Sequence, residues 1–582
     1  MFATRAFILI GWHGVILENW RATGESGDEM VFAITHIVTA TLTVSALLSM
    51  TFLLPEKNGF LDLASRARRT LPLFSFLWLI TSCGQSLTTL ADLFEVNIPS
   101  ILDVTTIRSF FIQTSLGRVQ LIEIAASLLI LLFSSSVKKN GGALALLVIG
   151  AIGITAPVLE SHSSSLGNHA LAIGSLIIHL LALEFWLGAV IALFMMSPEQ
   201  RAIAHPRTSV IALWSSIAVA ISGVANAWTR LRFGTGWVST YGALLFAKFA
   251  LYLIVLSLAA FLRKRANING LIRLEIGLLL LITSIGSILN RFVPISNRTS
   301  LESNLPAPPS FYRVLMAYDA DGLIFGILIF VTALYIKGLI VLTRRGDTWP
   351  KGRTIAFAIG IALIDFATSG GIGFYAKYTF EYHMMAHMIL SMIAPIALVL
   401  SAPITLALRT LPSGRDKEER GLKALLVSQL HSTYGRVITH PIIALALFDG
   451  SLFALYFTPL FGKLMSTHSG HLFMNLHFIA VGLLFFHVIV GIDPNPRKVH
   501  HLARIVMLFA AMSIHAFFSV ALMSSNSLID GGYYAAQKLN WGIDLLSDQK
   551  LGGALGWAMG EIPIVVALIA TFIQWMRSDA KD

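Results

Sequence analysis

Runs of 18 or more apolar residues recur along the whole chain, and no other feature limits its fold so strongly. A run of that length reads as a helix that crosses a bilayer. Such spans lie near 30–54, 70–91, 117–136, 142–159, 168–196, 207–228, 241–262 and 270–292. They resume near 318–342, 354–374, 381–408, 437–461, 468–491, 502–524 and 552–576, fifteen in all. The segment 2–17 is the candidate sixteenth. It is short for a hydrocarbon layer of about 30 Å at about 1.5 Å per residue, and no small-residue cleavage site follows it as in a signal peptide. Charged residues make up 13% of the chain, too few to coat soluble domains. The expected fold is therefore all-α, a polytopic transmembrane helix bundle of 15–16 spans. The single cysteine, Cys83, excludes an internal disulfide framework and any CxxC motif.

The loops alternate in charge. Most of the 42 basic residues fall on one side, in groups such as Lys57/Arg66/Arg68/Arg69, Arg263/Lys264/Arg265, Arg344/Arg345/Lys351/Arg353 and the 409–436 loop. The positive-inside rule makes that side and the C-terminus cytoplasmic in a multi-pass membrane protein. The net charge of +11 thus reflects cytoplasmic loops beside anionic lipid and does not mark a nucleic-acid partner. A polar, proline-bearing stretch at 293–317, on the outer side, divides the chain into two sub-bundles, 1–317 and 318–582.

Seventeen histidines are present, and most of those outside the cytoplasmic loops lie in the outer halves of spans. An ionisable group inside a bilayer is costly and points to function. His383 and His387 are spaced i, i+4 and share a helix face, with Met384 and Met388 on the adjacent face. His477 and His515, on two other spans, reach nearly the same depth as His387, and His471 stands above His477. The predicted arrangement is a convergence of His387, His477 and His515 near the outer surface, with His383 and His471 as an entry relay. Imidazole and thioether donors without thiolates suit copper, above all Cu(I). Interhelical hydrogen bonding is the competing explanation for each of these histidines. Glu561 lies two turns into the last span, where a histidine or metal opposite it would offset its cost.

The first sub-bundle carries a thinner version. Glu160 and His162 lie at the outer end of one span, His169 opens the next, and His179 and Glu184 lie deeper in it. His162 and His179 are its candidate metal ligands. Lys248, about half a helix in, must pair or snorkel.

These residues resemble two bacterial membrane families joined in one chain. Residues 30–292 resemble the copper-resistance D (CopD) family, through His179 followed by Trp186-Leu187-Gly188, Ser222-Gly223 with Asn226, and Tyr241-Gly242 with Lys248. Residues 318–582 resemble the CtaG-type cytochrome c oxidase assembly family. There the resemblance runs through Tyr375, His383-Met384, His387-Met388, Pro395, Pro403, His440-Pro441, His471, His477 and Gly482, then Asp493-Pro494, His515, Asp548-Gln549, Gly552-Gly553, Trp557 and Glu561. The order of the two modules is that of fused proteins of high-GC Gram-positive bacteria.

The resemblance implies a CopD-like copper-handling bundle at 1–317 and a CtaG-like assembly bundle at 318–582. The expected function is then to bind or move copper near the outer face of the membrane and supply it for cytochrome c oxidase assembly. The expected partners are the copper ion, the lipid bilayer, and oxidase subunits or an extracytoplasmic copper chaperone, and no enzyme activity is expected. Two other classes stay open at this point: a haem-binding electron carrier using paired transmembrane histidines, and a proton-coupled transporter of another solute.

Overall fold

A computed structural model of the chain describes residues 27–57, 61–160, 169–231, 235–262, 269–291, 306–414, 419–497 and 499–579. It is 83% helical. The segment 2–17, His162 and most of the 293–317 stretch lie outside the described residues. Among the described residues, thirteen helices are long and apolar enough to cross a membrane. The expectation of an all-α polytopic helix bundle therefore holds.

The chain divides into two compact units, Met1–Asn297 with Gly414–Gly421, and Arg298–Ser413 with Leu422–Asp582. The first contains α1 (Gly27–Leu48), α2 (Ser65–Leu93), α3 (Ser115–Ser134) and α4 (Asn140–Thr155). It continues with α5 (His169–Met195), α6 (Pro198–Leu231), α7 (Thr240–Leu262) and α8 (Asn269–Arg291). A two-residue antiparallel ribbon, β1 (Glu56–Lys57) with β2 (Glu419–Arg420), is the only sheet among the described residues. Because helix backbones satisfy their own polar groups, each helix has only its side chains to place against neighbours. Hydroxyls in α1 bond back one turn, as Thr43 Oγ1 does to the Thr39 carbonyl at 2.9 Å.

The second unit contains α9 (Gly322–Arg344), α10 (Lys351–Thr368), α11 (Phe380–Met388) and α12 (Ala394–Leu400). These are followed by α13 (Pro441–Phe448), α14 (Gly450–Tyr456), α15 (His468–Val490), α16 (His501–Met523) and α17 (Leu545–Asp579). Two of the fifteen expected spans are helical but fall short of the thirteen. The 354–374 span ends at Thr368, and Lys351, Arg353 and Asp365 lower its apolarity. The 437–461 span is the apolar segment Pro441–Tyr456, interrupted at Asp449. At about 1.5 Å per residue it rises about 24 Å, less than a bilayer core.

Between α11 and α12 the helix widens into a π turn, Ile389–Ile393. Pro395 has no N–H to offer the preceding turn, and Ser391 Oγ donates instead to the His387 carbonyl at 2.7 Å. Gly482 of α15 lies directly against this turn, where a methyl group would land on the Ser391 carbonyl. The N-terminus of α11 is capped from another helix. Asp548 of α17 accepts from the Phe380 N–H at 2.7 Å and the Glu381 N–H at 3.2 Å. A carboxylate suits the positive end of the helix, and this one anchors the segment that carries His383 and His387.

Candidate metal centre

His383 and His387 are fully buried, and their rings lie 4.1 Å apart between centroids, one turn apart on α11. His471, in the first turn of α15, brings its ring to 5.9 Å from His383. Aromatic side chains close the space around them. Phe461 lies 5.1 Å from His383, and Phe478 lies 4.2 Å from His387. The Tyr456 hydroxyl stands 2.6 Å from His387 Nδ1. Neither nitrogen of His383 has a hydrogen-bond partner, and neither does His387 Nε2. Three bare ring nitrogens in a closed apolar pocket are costly unless something binds them. A neutral His387 that donates Nδ1–H to the Tyr456 oxygen keeps its lone pair on Nε2, the form a metal requires. The chemistry of these donors fits a copper ion.

Above this pocket, at the N-terminal ends of α11 and α15, Lys377 pairs with Asp319 at 2.6 Å. Tyr533 and Tyr534 belong to the connection between α16 and α17. Burial pushes both phenols up, Tyr533 to about 12, so they act there as uncharged groups. The Tyr534 hydroxyl donates to the Ala376 carbonyl at 3.3 Å.

The remaining predicted residues are distributed differently. His477 is half-buried beside Phe473 and Phe478, with ring separations of 6.0 and 5.5 Å. His515 is fully buried, but its Nε2 meets the Gly556 carbonyl at 3.1 Å and its Nδ1 faces Asp449. Ring contacts run from His387 to Tyr456, then Phe518, then His515, so aromatic side chains lie along the way between the two histidines. Met384 directs its sulfur to Gly556, and Met388 is buried in the apolar core. Among the described residues no three His, Cys, Asp or Glu side chains form a ready-made metal cage. Tyr456 and Asp449 were not anticipated. A carboxylate inside the 437–461 apolar run was the available signal for Asp449. Tyr456, among many aromatics, gave none.

In the first unit His179 is buried with both nitrogens engaged. Nδ1 meets Ser222 Oγ at 3.1 Å, and Lys248 Nζ donates to Nε2 at 3.4 Å. That also answers the pairing expected of Lys248. His36 Nε2 lies 2.9 Å from Glu123 Oε1, which also accepts from Trp78 Nε1 at 3.1 Å. Thr41 donates to Glu184 at 2.8 Å, and Trp186 Nε1 donates to Glu275 at 3.0 Å. Buried ionisable groups here are partnered within the protein.

Residues 333–578 match the cytochrome c oxidase caa3 assembly factor family (Caa3_CtaG). Residues 203–289 match the copper resistance protein D family (CopD). Both expected families are thus matched within the one chain, each over part of it. The Caa3_CtaG match contains the whole His383–His387–His471 pocket, and the CopD match contains Ser222 and Lys248 but begins after His179. An uncharacterized protein of Mycobacterium leprae is 40% identical over 277 residues, covering 48% of this chain and 42% of that protein. Uncharacterized proteins of Mycobacterium bovis and Mycobacterium tuberculosis are each 41% identical over the same length and shares. The chain thus spans less than half the length of these curated relatives. No solved structure matches it.

Proposed function

We propose that the second unit binds copper between His383 and His387, with His471 at its entrance, and supplies it for assembly of a cytochrome c oxidase. The observation that carries this reading is the set of three partnerless ring nitrogens on two adjacent, fully buried histidines. The family matches support the direction of the reading: copper resistance in one unit, oxidase assembly in the other. On this reading the protein is a multi-pass component of a bacterial plasma membrane, with its C-terminus cytoplasmic and the pocket near the outer face. Copper is cargo and no bond of a substrate is broken. Cu(I) suits a pair of neutral imidazoles in a site closed to water. The recipient is an oxidase subunit or an extracytoplasmic copper chaperone.

The test is copper analysis of purified full-length protein under reducing conditions. Wild type should retain about one Cu(I) at this pocket that a His383→Ala/His387→Ala double variant lacks. Equal retention by both proteins ends this reading.

The first unit supports a second, complementary reading. Its buried pairs, His36–Glu123 and His179–Lys248, set titratable groups within hydrogen-bonding distance of each other, which favours proton-coupled passage through that bundle. Glu123→Gln should then abolish proton uptake coupled to copper movement in proteoliposomes; uptake unchanged from wild type removes the idea.

A further inference from the structure

A second group of buried polar atoms lies on the far side of Tyr456 and Phe518 from the histidine pair. Asp449 sits at the break between α13 and α14, 1% exposed, with neither carboxylate oxygen hydrogen-bonded. His515 of α16 faces it, 0% exposed, with Nδ1 at 3.9 Å from Asp449 Oδ1. Ser519, one turn further along α16, is also 0% exposed, and its hydroxyl has no partner.

The hydrogen bond on the other ring nitrogen decides what faces Asp449. Nε2 meets the Gly556 carbonyl at 3.1 Å, and a carbonyl only accepts, so Nε2 carries the proton. In the neutral ring Nδ1 is then a bare lone pair. A lone pair and a carboxylate oxygen confront each other with no donor between them. A protonated carboxyl would close to a hydrogen bond of about 2.7 Å, and an imidazolium to about 2.8 Å. At 3.9 Å the contact is neither. That separation suits two donors placed trans across one ion in a square-planar arrangement, with bonds of about 2.0–2.1 Å each to imidazole nitrogen and carboxylate oxygen.

We propose that His515 Nδ1 and the Asp449 carboxylate form a second metal site, separate from the histidine pair, that takes a divalent transition-metal ion such as Cu(II). One nitrogen and one carboxylate are harder donors than an all-imidazole pocket and suit the divalent ion better than Cu(I). The protein holds the site open through α17. Gly556 supplies the carbonyl that fixes the ring, and Gly560 packs so closely that a methyl there would strike the His515 ring.

The experiment titrates Cu(II) into full-length protein in detergent. Its readouts are the metal-to-protein ratio after desalting and the Cu(II) electron paramagnetic resonance spectrum. Wild type should hold one Cu(II) equivalent that Asp449→Asn and His515→Gln each lose, whereas His383→Ala/His387→Ala keeps it. Asn and Gln preserve size and polarity, so loss of metal with an unchanged melting temperature separates ligation from a merely structural role. If Asp449→Asn fails to fold, His515→Gln carries the test alone. Unchanged stoichiometry and spectrum in the two variants overturn the proposal, as does loss of the signal only in the His383/His387 variant. The last result would leave the Cu(I) pocket standing, so the two sites fail independently.

Discussion

Tyr456 sets its hydroxyl 2.6 Å from His387 Nδ1 and leaves Nε2 of that ring buried and without a partner. Such an outer partner fixes both the tilt of an imidazole and the nitrogen that holds its lone pair. Tyr456→Phe keeps the ring that packs on Phe461 and Phe518 and removes only this contact. Cu(I) affinity should fall roughly 10–100-fold, the usual cost of losing such a partner. Competition with a Cu(I) chelator measures it; affinity within twofold of wild type would show that Tyr456 does not orient the ligand.

Copper should also report through stability. A ligand that binds only the folded state stabilises it by about 2.7 kcal/mol at a hundredfold excess over Kd. Added Cu(I) should therefore raise the melting temperature of wild type, and a chelator should reverse the rise without unfolding the protein. Apo protein stays folded because its helices pack through buried apolar side chains, as in the Phe448–Phe485 stack at 4.3 Å. The His383→Ala/His387→Ala variant should show no shift with Cu(I). A shift of wild-type size in that variant would place the stabilising ion elsewhere.

Much of this architecture was legible before any coordinates, because apolar runs and proline and charge boundaries are one-dimensional signals. The i, i+4 spacing placed His383 and His387 on one face, and the structure sets their rings 4.1 Å apart. The expected grouping of His387, His477 and His515 rested on depth alone. Depth along a span leaves open the direction in which a helix is turned. His477 is six residues from His471, about 120° around the helix at about 100° per residue, so α15 presents only His471 to His383. The rotation of α16 is tied to α17 by the close approach at Gly556 and Gly560, which turns His515 toward Asp449. Small-residue contacts of this kind depend on the partner helix and leave no period in their own sequence.

Asp548 shows how a residue remote in sequence builds the pocket. Its two contacts to the Phe380 and Glu381 amides fix the start of α11. Asp548→Ala should cost about 1–2 kcal/mol, as lost N-caps do. It should also lower Cu(I) affinity by loosening His383, three residues on. Asp548→Asn keeps an accepting oxygen and should restore most of the stability. Thermal unfolding of the three proteins in detergent checks this; equal destabilisation by Ala and Asn would assign the effect to charge alone.

The close helix contact at Gly560 gives the last prediction. A methyl group at Gly560 would collide with His515, a fully buried ring held at Gly556 on one side and facing Asp449 on the other. The ring is buried and tied to the Gly556 carbonyl, so relieving the clash pushes α16 and α17 apart. Gly560→Ala should therefore destabilise by about 1–3 kcal/mol, the usual range for overpacking, despite the better helix propensity of alanine. Gly450 offers the contrast, since nothing lies within 4 Å of a methyl placed there. Gly450→Ala should be neutral or slightly stabilising. Melting temperatures of the two variants, measured side by side, decide the point; a Gly560→Ala protein as stable as Gly450→Ala would mean that α16 and α17 do not approach this closely.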